Sequence, residues 1–437
     1  TISVRLATLT PPLQQSLTHI GIMPEQRNIV ILGASYAGLG AAHSILKHIL
    51  PSLPSDGPAS YKVILVNSSS KWFVRHASPR AAASEQLIPY DKLFLDIEPG
   101  FKQYGLNFEF IEGKASAWDP TDRDVSIVTA GGEQVEVRYH ALVLATGSKT
   151  YSPLFSATED GHQQTRSELD AIHAKLTSPV NHMVIVGGGP TAVETAGELG
   201  EYLNGAAGWF ASRPSSPKAS ITVITNSSQL LPQLRRTIGQ QAERFLNRVG
   251  VDVRYETKVS SSHSEPNGKT VVVLHDGEEI ETDIYIPAMG IQPLSSYVPA
   301  ELKNEAGYIK QNIGTLRVDA AGARVYAIGD VGEASHNSIM DIIDQIPVLT
   351  TNIRRDLLAA HKDIRAKADS KDRVFQVNTT ETQLVPVGRS KGVGAILGYR
   401  LPSFLVWLIK GRDFMLSGAG DMLDGKKWAK EAAWKGQ

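Results

Sequence analysis

Residues 33–38, which read GASYAG, have the residue types and the spacing to bind a pyrophosphate. They stand between an apolar run at residues 29–32, which predicts a buried parallel strand, and a helix-compatible stretch at residues 37–50. Glycine permits the tight turn and the close packing of helix on strand, and the helix N-terminus presents free N–H groups to an anion. The predicted contact residues are Gly33, Ala34, Ser35, Tyr36, Ala37 and Gly38.

The same device recurs at residues 187–192, which read GGGPTA and follow an apolar run at residues 184–186. Pro190 suits a first helical position. Ser35 replaces the middle glycine of the first turn, so that turn alone is weak evidence for a nucleotide site. Two such turns in one chain predict two nucleotides that face each other. The predicted contact residues of the second turn are Gly187, Gly189, Pro190, Thr191 and Ala192.

The strand that should follow each turn ends in asparagine instead of an acidic residue. Asn67 closes the predicted strand at residues 62–67, and Asn226 follows the one at residues 221–225. This position normally holds a ribose, and an acidic residue there repels the 2′-phosphate of NADP. NADPH is therefore not excluded, and Arg235 and Arg236 are weak candidates to bind that phosphate.

The remaining elements repeat in a fixed order around the two turns. Two hairpins are predicted, at residues 125–138 and 270–282, each with glycine in its turn. Each hairpin precedes a buried strand, ALVLATG at residues 141–147 and DIYIPAMG at residues 283–290. A last strand at residues 323–330 ends in Gly329 and Asp330. Helical spacing follows at residues 339–361.

The composition excludes several classes of function. The 437 residues carry a net charge of −1, so we expect no nucleic-acid partner. The sequence has no cysteine, which removes disulfides, thiolate metal sites and redox-active thiol pairs. The histidines lack ligand spacing, and we expect no metal site. No apolar run reaches the ~20 residues that span a bilayer.

Two facing nucleotides predict a flavin and a nicotinamide, because a flavin accepts a hydride from NAD(P)H. The order of the motifs over residues 28–420 resembles that of the flavoproteins with two dinucleotide-binding domains. The missing cysteine sets aside their thiol–disulfide members. The sequence is most similar to the apoptosis-inducing-factor-like branch, which includes ferroptosis suppressor proteins. That similarity rests on GGPTAVE at residues 188–194, VGRSKGVG at 387–394 and LIKGRD at 408–413.

The resemblance implies an α/β fold with two Rossmann-like domains and a small C-terminal α+β domain. The FAD-binding domain is expected at residues 28–150 and 287–373, with the NAD(P)H-binding domain inserted at residues 151–286. An N-terminal extension at residues 1–27 and the C-terminal domain at residues 374–437 complete the expected organisation.

The resemblance also implies which residues hold the cofactors. Residues 33–38 would bind the FAD pyrophosphate, residues 187–192 NAD(P)H, and Asp330 the ribityl hydroxyls. Residues 346–348 occupy a stretch where a helix N-terminus normally faces the flavin, and Pro347 suits a first helical position. The other expected cofactor contacts are Ala115, Ala145, Thr146, Gly147, Gly290, Gly329 and Val348.

Residues 72–80, which read WFVRHASPR, place Arg75, His76 and Arg80 beside aromatic side chains. We expect Arg75 and Arg80 to contact a cofactor phosphate or the flavin edge. The alternative is a solvated loop.

Glu194 and Lys410 are the expected catalytic residues, and the resemblance places both at the flavin. Glu194 lies near the start of the second predicted helix, where a carboxylate is favourable. Lys410 could stabilise a reduced flavin or a quinone oxyanion. The alternatives are a carboxylate that serves only the helix terminus and a solvated lysine.

The resulting hypothesis is an FAD-dependent NAD(P)H:quinone-type oxidoreductase. A specialised biosynthetic flavin oxidoreductase and a cell-death or redox-sensing flavoprotein remain alternatives. We expect a cytoplasmic protein. The sequence does not predict the number of its subunits. The tail at residues 425–437, with lysines around Trp428 and Trp434, suits either an interfacial helix at a membrane or packing on the domain.

Overall fold

The computed structural model describes residues 25–54, 59–156, 161–208, 210–361 and 371–434. Most of the expected N-terminal extension lies outside the described residues. The strands are β1 Glu25–Leu32, β2 Ala59–Asn67, β3 Lys71–Phe73, β4 Phe94–Asp96, β5 Phe108–Asp119, β6 Asp124–Thr129, β7 Gln134–Arg138, β8 Ala141–Leu144, β9 Ser148–Thr150, β10 His182–Val186, β11 Ser220–Ile224, β12 Val251–Arg254, β13 Val259–Ser264, β14 Thr270–Leu274, β15 Glu279–Thr282, β16 Ile284–Pro287, β17 Ile291–Pro293, β18 Val325–Ala327, β19 Gln383–Val387, β20 Lys391–Ile396 and β21 Tyr399–Arg400. The α-helices up to residue 360 are α1 Tyr36–Ser44, α2 Ser78–Ala81, α3 Tyr90–Leu93, α4 His162–Leu176, α5 Pro190–Asn204, α6 Arg236–Asn247 and α7 Ile339–Ala360.

The first large sheet has seven strands in the order β18-β8-β1-β2-β5-β6-β7. β1 pairs in parallel with β2 and β8, and β18 returns late in the chain to pair with β8. Ile29 and Ile31 pack on the α1 side of the sheet, while Val30 and Leu32 pack with the β6–β7 hairpin on the other. Because side chains alternate across a strand, this apolar run fills the core on both faces.

The second sheet lies between β8 and β18 in the sequence. Its four parallel strands run in the order β12-β11-β10-β16, and the antiparallel strands β13, β14 and β15 form a separate three-stranded sheet. α5 follows β10 as α1 follows β1, so the chain contains the strand–turn–helix device twice.

The C-terminal part adds the antiparallel sheet β19-β20-β21. A helical turn at Ser403–Val406 continues into a π-helical turn at Trp407–Gly411. The last short helices are Ala419–Leu423 and the 3₁₀ turn Lys426–Trp428.

The expected α/β class with Rossmann-type units is confirmed. The expected domain boundaries remain predictions. Both predicted hairpins form, at β6–β7 and at β14–β15. Over the described parts of the chain, no helix has both the length and the apolar character needed to cross a bilayer.

The C-terminal tail packs on the molecule over the residues that the structure describes. Trp428 stacks against His43 of α1, with ring centres 5.9 Å apart, and Arg373 lies over the ring of Trp434. No helix is assigned at residues 429–434. These contacts favour the packing interpretation, and membrane contact of the tail stays a prediction.

Candidate functional site

The turn between β1 and α1 has the geometry of a pyrophosphate cradle. Gly33 has a φ of +102°, and a Cβ there would lie 2.3 Å from the carbonyl oxygen of Ala145. A Cβ on Gly38 would lie 1.7 Å from the oxygen of Gly33. Ser35 is the N-cap of α1 but makes no side-chain cap. The first N–H groups of α1 are therefore available to an anion.

A deep cleft opens in front of this turn. It holds about 1200 Å³ of empty space, counting the part open to solvent. The residues predicted to bind the cofactor that line it are Gly33, Ala34, Ser35, Tyr36, Ala37, Asn67, Arg75, Ala115, Ala145, Thr146, Gly147, Gly329 and Asp330. The structure therefore brings together residues from six separate stretches of the chain.

Other lining residues were missed by the sequence reasoning. They include Trp72, Lys114, Ser148, Tyr297 and Ile342. Trp72, Lys114 and Ser148 each lie within three positions of a predicted residue, and that proximity is the only signal for them. Tyr297 lies in a loop and Ile342 lies in α7, and no sequence motif includes either residue.

The cleft fits FAD on its own chemistry. The glycine turn excludes a Cβ and offers helix N–H groups to the pyrophosphate. The indole Nε1 of Trp72 is buried and has no hydrogen-bond partner among the described residues, which suits a donor that awaits a ligand. Asp330 supplies a carboxylate for hydroxyl groups. The individual cofactor contacts stay predictions.

Asp330 is held in the cleft by two neighbours. The hydroxyl of Ser148 donates to its Oδ2 at 2.9 Å. Nη1 of Arg75 donates to the same hydroxyl at 3.2 Å and lies 3.7 Å from the carboxylate. The alternative of a solvated loop around Arg75 is therefore wrong, because the side chain is part of the cleft wall.

Asn67 stabilises the glycine turn at residues 33–38 through two hydrogen bonds. Its Oδ1 accepts a hydrogen bond from the backbone N–H of Ala34 at 2.9 Å, and its Nδ2 donates to the carbonyl of Ser69 at 2.7 Å. An acidic residue could accept the first bond but could not donate the second. The asparagine thus stabilises the loop as well as lining the cleft.

The second turn has the same backbone plan as the first. Gly187 has a φ of +139°, and a Cβ there would lie 2.4 Å from the carbonyl oxygen of Ala288. α5 begins at Pro190, as predicted, and Ala192 is buried. The space beside Gly189 is open.

The surroundings of this turn give no preference between NADH and NADPH. Asn226 is exposed just beyond β11, and Gly290 has a φ of +63° beside the ring of Tyr151. Arg235 donates from Nε to Oε2 of Glu381 at 2.7 Å, which occupies its guanidinium. Arg236 is exposed.

Glu194 and Lys410 form an ion pair in which the carboxylate is buried and the lysine side chain is 15% exposed. Nζ of Lys410 lies 2.5 Å from Oε1 of Glu194 and donates to the carbonyl of Leu384 at 3.2 Å. The Glu194 side chain is only 4% exposed. Burial raises the pKa of Glu194 to about 7, although Lys410 opposes that rise. The alternative of a solvated lysine is wrong, and the carboxyl can exchange a proton near neutral pH.

His76 lies between this ion pair and the cleft. Its Nδ1 is hydrogen-bonded to the hydroxyl of Tyr36, which lines the cleft. Burial, followed by the charge of Lys410, lowers the pKa of His76 to about 4. His76 is therefore neutral at physiological pH.

The prediction that Arg80 contacts the cofactor is wrong. Arg80 is buried, and its guanidinium donates two hydrogen bonds to the carboxylate of Glu198, at 3.0 and 2.8 Å. The Arg80 guanidinium is therefore already paired with a carboxylate, and Arg80 is not among the residues that line the cleft. The alternative of a solvated loop is equally wrong for this residue.

The expectation for Pro347 and Val348 is also wrong. α7 begins at Ile339, with Ser338 as its N-cap, so Pro347 lies inside the helix. Val348 is buried in the core. Ile342, in the first turns of α7, is the residue of this helix that lines the cleft.

No group of residues suited to a metal ion occurs within the described ranges of the chain.

The family described as pyridine nucleotide-disulphide oxidoreductase matches residues 27–351. A relative, Oxidoreductase phnG of Penicillium herquei, is 44% identical over 413 residues, which cover 93% of this chain and 98% of that protein. Apoptosis-inducing factor 1 of Saccharomyces cerevisiae is 26% identical over 408 residues, with coverage of 89% and 96%. The relationship to apoptosis-inducing-factor-like proteins is therefore confirmed.

The fold also recurs among solved structures. The sulfide:quinone oxidoreductase of Aquifex aeolicus superposes with a TM-score of 0.63 and covers 91% of this chain and 92% of its own. The sequences are 15% identical, so this likeness shows the fold alone.

Proposed function

The chain belongs to the pyridine nucleotide-disulphide oxidoreductase family, and we propose that it passes electrons from NAD(P)H to a quinone-type acceptor. It is an oxidoreductase with FAD and NAD(P)H as cofactors. Bound FAD supplies hydride acceptance and two-electron transfer. The quinone is the part of the function that we propose.

The ion pair of Glu194 and Lys410 carries this proposal. Reduction of a quinone places negative charge on oxygen, and it consumes one proton in addition to the hydride equivalent. The ammonium of Lys410 can stabilise that oxygen. The Glu194 carboxyl, with a pKa raised by burial to about 7, can hold and release the proton. The pair thus matches what an oxygen-bearing acceptor needs.

The absence of cysteine also supports a direct small-molecule acceptor. The sequence contains no thiol to relay electrons from the flavin to a disulfide. The quinone in the name of the Aquifex protein agrees with this choice, although that protein shares only the fold with the present chain.

A two-step reduction experiment tests the proposal. The purified protein is freed of oxygen, and the flavin absorbance is followed as NADH or NADPH is added. We expect bleaching with at least one nucleotide and reoxidation by a water-soluble benzoquinone. If the flavin bleaches but is reoxidised no faster with quinone than with buffer alone, the quinone acceptor is wrong. The assignment as an NAD(P)H-dependent oxidoreductase would then still hold.

A specialised biosynthetic flavin oxidoreductase, with an electron acceptor other than a quinone, is the second candidate. The 44% identity to a fungal protein named only an oxidoreductase exceeds the 26% identity to apoptosis-inducing factor 1. The same reoxidation experiment with carbonyl and conjugated enone compounds separates the two candidates. Reoxidation by such compounds alone would favour the biosynthetic alternative.

A further inference from the structure

The contacts of Arg80 join its own segment of the chain to two others. Its bidentate pairing with Glu198 joins α2 to α5. Its Nη1 donates to the backbone carbonyl of Arg412 at 3.1 Å, and its Cζ lies 4.6 Å from the ring centre of Phe414. The planar, permanently charged guanidinium suits such simultaneous hydrogen bonding and stacking.

Two of these segments also carry the ion pair of Glu194 and Lys410. Glu198 stands one helical turn beyond Glu194 on α5, and Phe414 stands four residues after Lys410. Nζ of Lys410 lies 5.8 Å from the centre of the same Phe414 ring. Arg80 therefore makes a second bridge, parallel to the one between Glu194 and Lys410.

The chain turns sharply at Phe414. Phe414 and Met415 have φ values of +50° and +58°, in the left-handed region that side chains other than glycine rarely adopt. Phe414 is fully buried, and the carboxylate of Asp413 accepts a hydrogen bond from the N–H of Met415 at 3.0 Å. Such strain persists where the surroundings determine the conformation. The contacts of Arg80 are part of those surroundings.

The third segment reaches the cofactor cleft. Arg75 stands five residues before Arg80 and forms part of the cleft wall through Ser148. His76 follows directly and bonds Tyr36. Residues 75–80 thus connect the cleft to the bridge made by Arg80.

We propose that Arg80 is a positioning residue that sets the place of the Lys410 ammonium relative to the bound flavin. Its contacts hold the turn at Phe414 in place against α5. They also hold that turn against residues 75–80, the segment that reaches the cleft. This inference rests on the proposed function and on the expectation that Lys410 lies at the flavin.

The reduction potential of the flavin tests the inference. The FAD-loaded full chain is titrated by spectroelectrochemistry as wild type, Lys410→Met, Arg80→Ala and the double variant. An ammonium near reduced flavin stabilises its negative charge, so Lys410→Met should shift the potential downward. Arg80→Ala should shift it in the same direction. The double variant should match Lys410→Met alone, because the two changes remove one effect.

Two further variants complete the set. Arg80→Lys keeps the charge and should recover part of the shift. Arg213→Ala breaks an exposed bidentate pair with Asp252 and should leave the potential unchanged. If Arg80→Ala does not fold, Glu198→Gln and Phe414→Leu replace it, and each should lower the potential without adding to Lys410→Met.

The outcomes separate the two ideas. Suppose that Lys410→Met lowers the flavin potential, but that Arg80→Ala leaves it unchanged or that the two shifts add in the double variant. This result would overturn the positioning role of Arg80 and leave the proposed function intact. No shift with Lys410→Met would show that Lys410 does not act beside the flavin, and both the proposed role of Lys410 and the positioning role would be wrong.

Discussion

α5 carries two buried carboxylates one turn apart, and their partners give them different properties. Glu194 is paired with Lys410, and Glu198 is paired with Arg80. A lysine ammonium is compact and can lose its proton, whereas an arginine stays charged and is held by a fixed fork of donors. We conclude that the first pair is suited to proton and charge chemistry and the second to holding segments together.

The electrostatic environments of the two pairs agree with this division. Burial raises the pKa of both carboxyls, and for Glu194 it rises to about 7. Glu198 accepts two hydrogen bonds from one guanidinium, and both side chains are almost fully buried. The lesson is that the partner residue, more than burial, separates a reactive carboxyl from a structural one.

Replacement of Arg80 by alanine should produce the largest loss of stability. It leaves the Glu198 carboxylate buried without its partner, and breaking a buried pair in this way costs about 3–5 kcal/mol. Chemical denaturation of the FAD-loaded protein measures the free energy of unfolding. A loss below about 1 kcal/mol, the range of exposed pairs, would contradict the structural role.

Replacement of Lys410 by methionine should act mainly on turnover. Loss of one preorganised donor to a developing oxyanion typically lowers turnover by about 10²–10³-fold. Steady-state kinetics with NAD(P)H and a quinone measure it. The flavin should still bleach with NAD(P)H. A variant with wild-type turnover would remove Lys410 from the mechanism.

Replacement of Glu194 by glutamine should change the dependence of stability on pH. The folded-state pKa of about 7 lies above the ordinary value of 4.5, so the folded state binds the proton more tightly than the unfolded chain. Stability from this group is present below pH 4.5 and is lost as pH rises through 7, by about 3 kcal/mol. The difference between variant and wild-type unfolding curves at pH 5 and pH 8 measures it. An equal difference at both pH values would contradict the raised pKa.

Replacement of Arg213 by alanine should have the smallest effect. Its pair with Asp252 is also bidentate, but both side chains are about half exposed. Solvent-exposed pairs contribute about 0–1 kcal/mol. The same denaturation assay makes this variant the control for Arg80. A loss as large as that of Arg80→Ala would show that burial does not distinguish the two pairs.

Local sequence rules predicted the elements that hold the site. The glycine turns, the buried parallel strands and both hairpins depend on short-range sterics and apolar periodicity, which a single sequence displays. The pairing of Glu194 with Lys410 needed the resemblance to a known family, because 216 positions separate the two residues.

The errors have physical causes as well. The helical spacing at residues 339–361 predicted α7, but the resemblance placed Pro347 at a first helical position. Ser338, with Asp341 three residues later, is the start signal that begins α7. Arg80 looked like a phosphate ligand because its partner, Glu198, lies 118 positions away. Local patterns indicate a charge; only the tertiary structure shows which partner it has.

The role of Glu194 is tested by the rate at which quinone reoxidises the reduced protein, measured by stopped flow against pH. We expect a wild-type rate that changes with an apparent pKa near 7. We expect a slower rate without that transition for Glu194→Gln, while reduction by NAD(P)H is preserved in both proteins. A Glu194→Gln protein that keeps the wild-type rate and the wild-type pH profile would contradict this role.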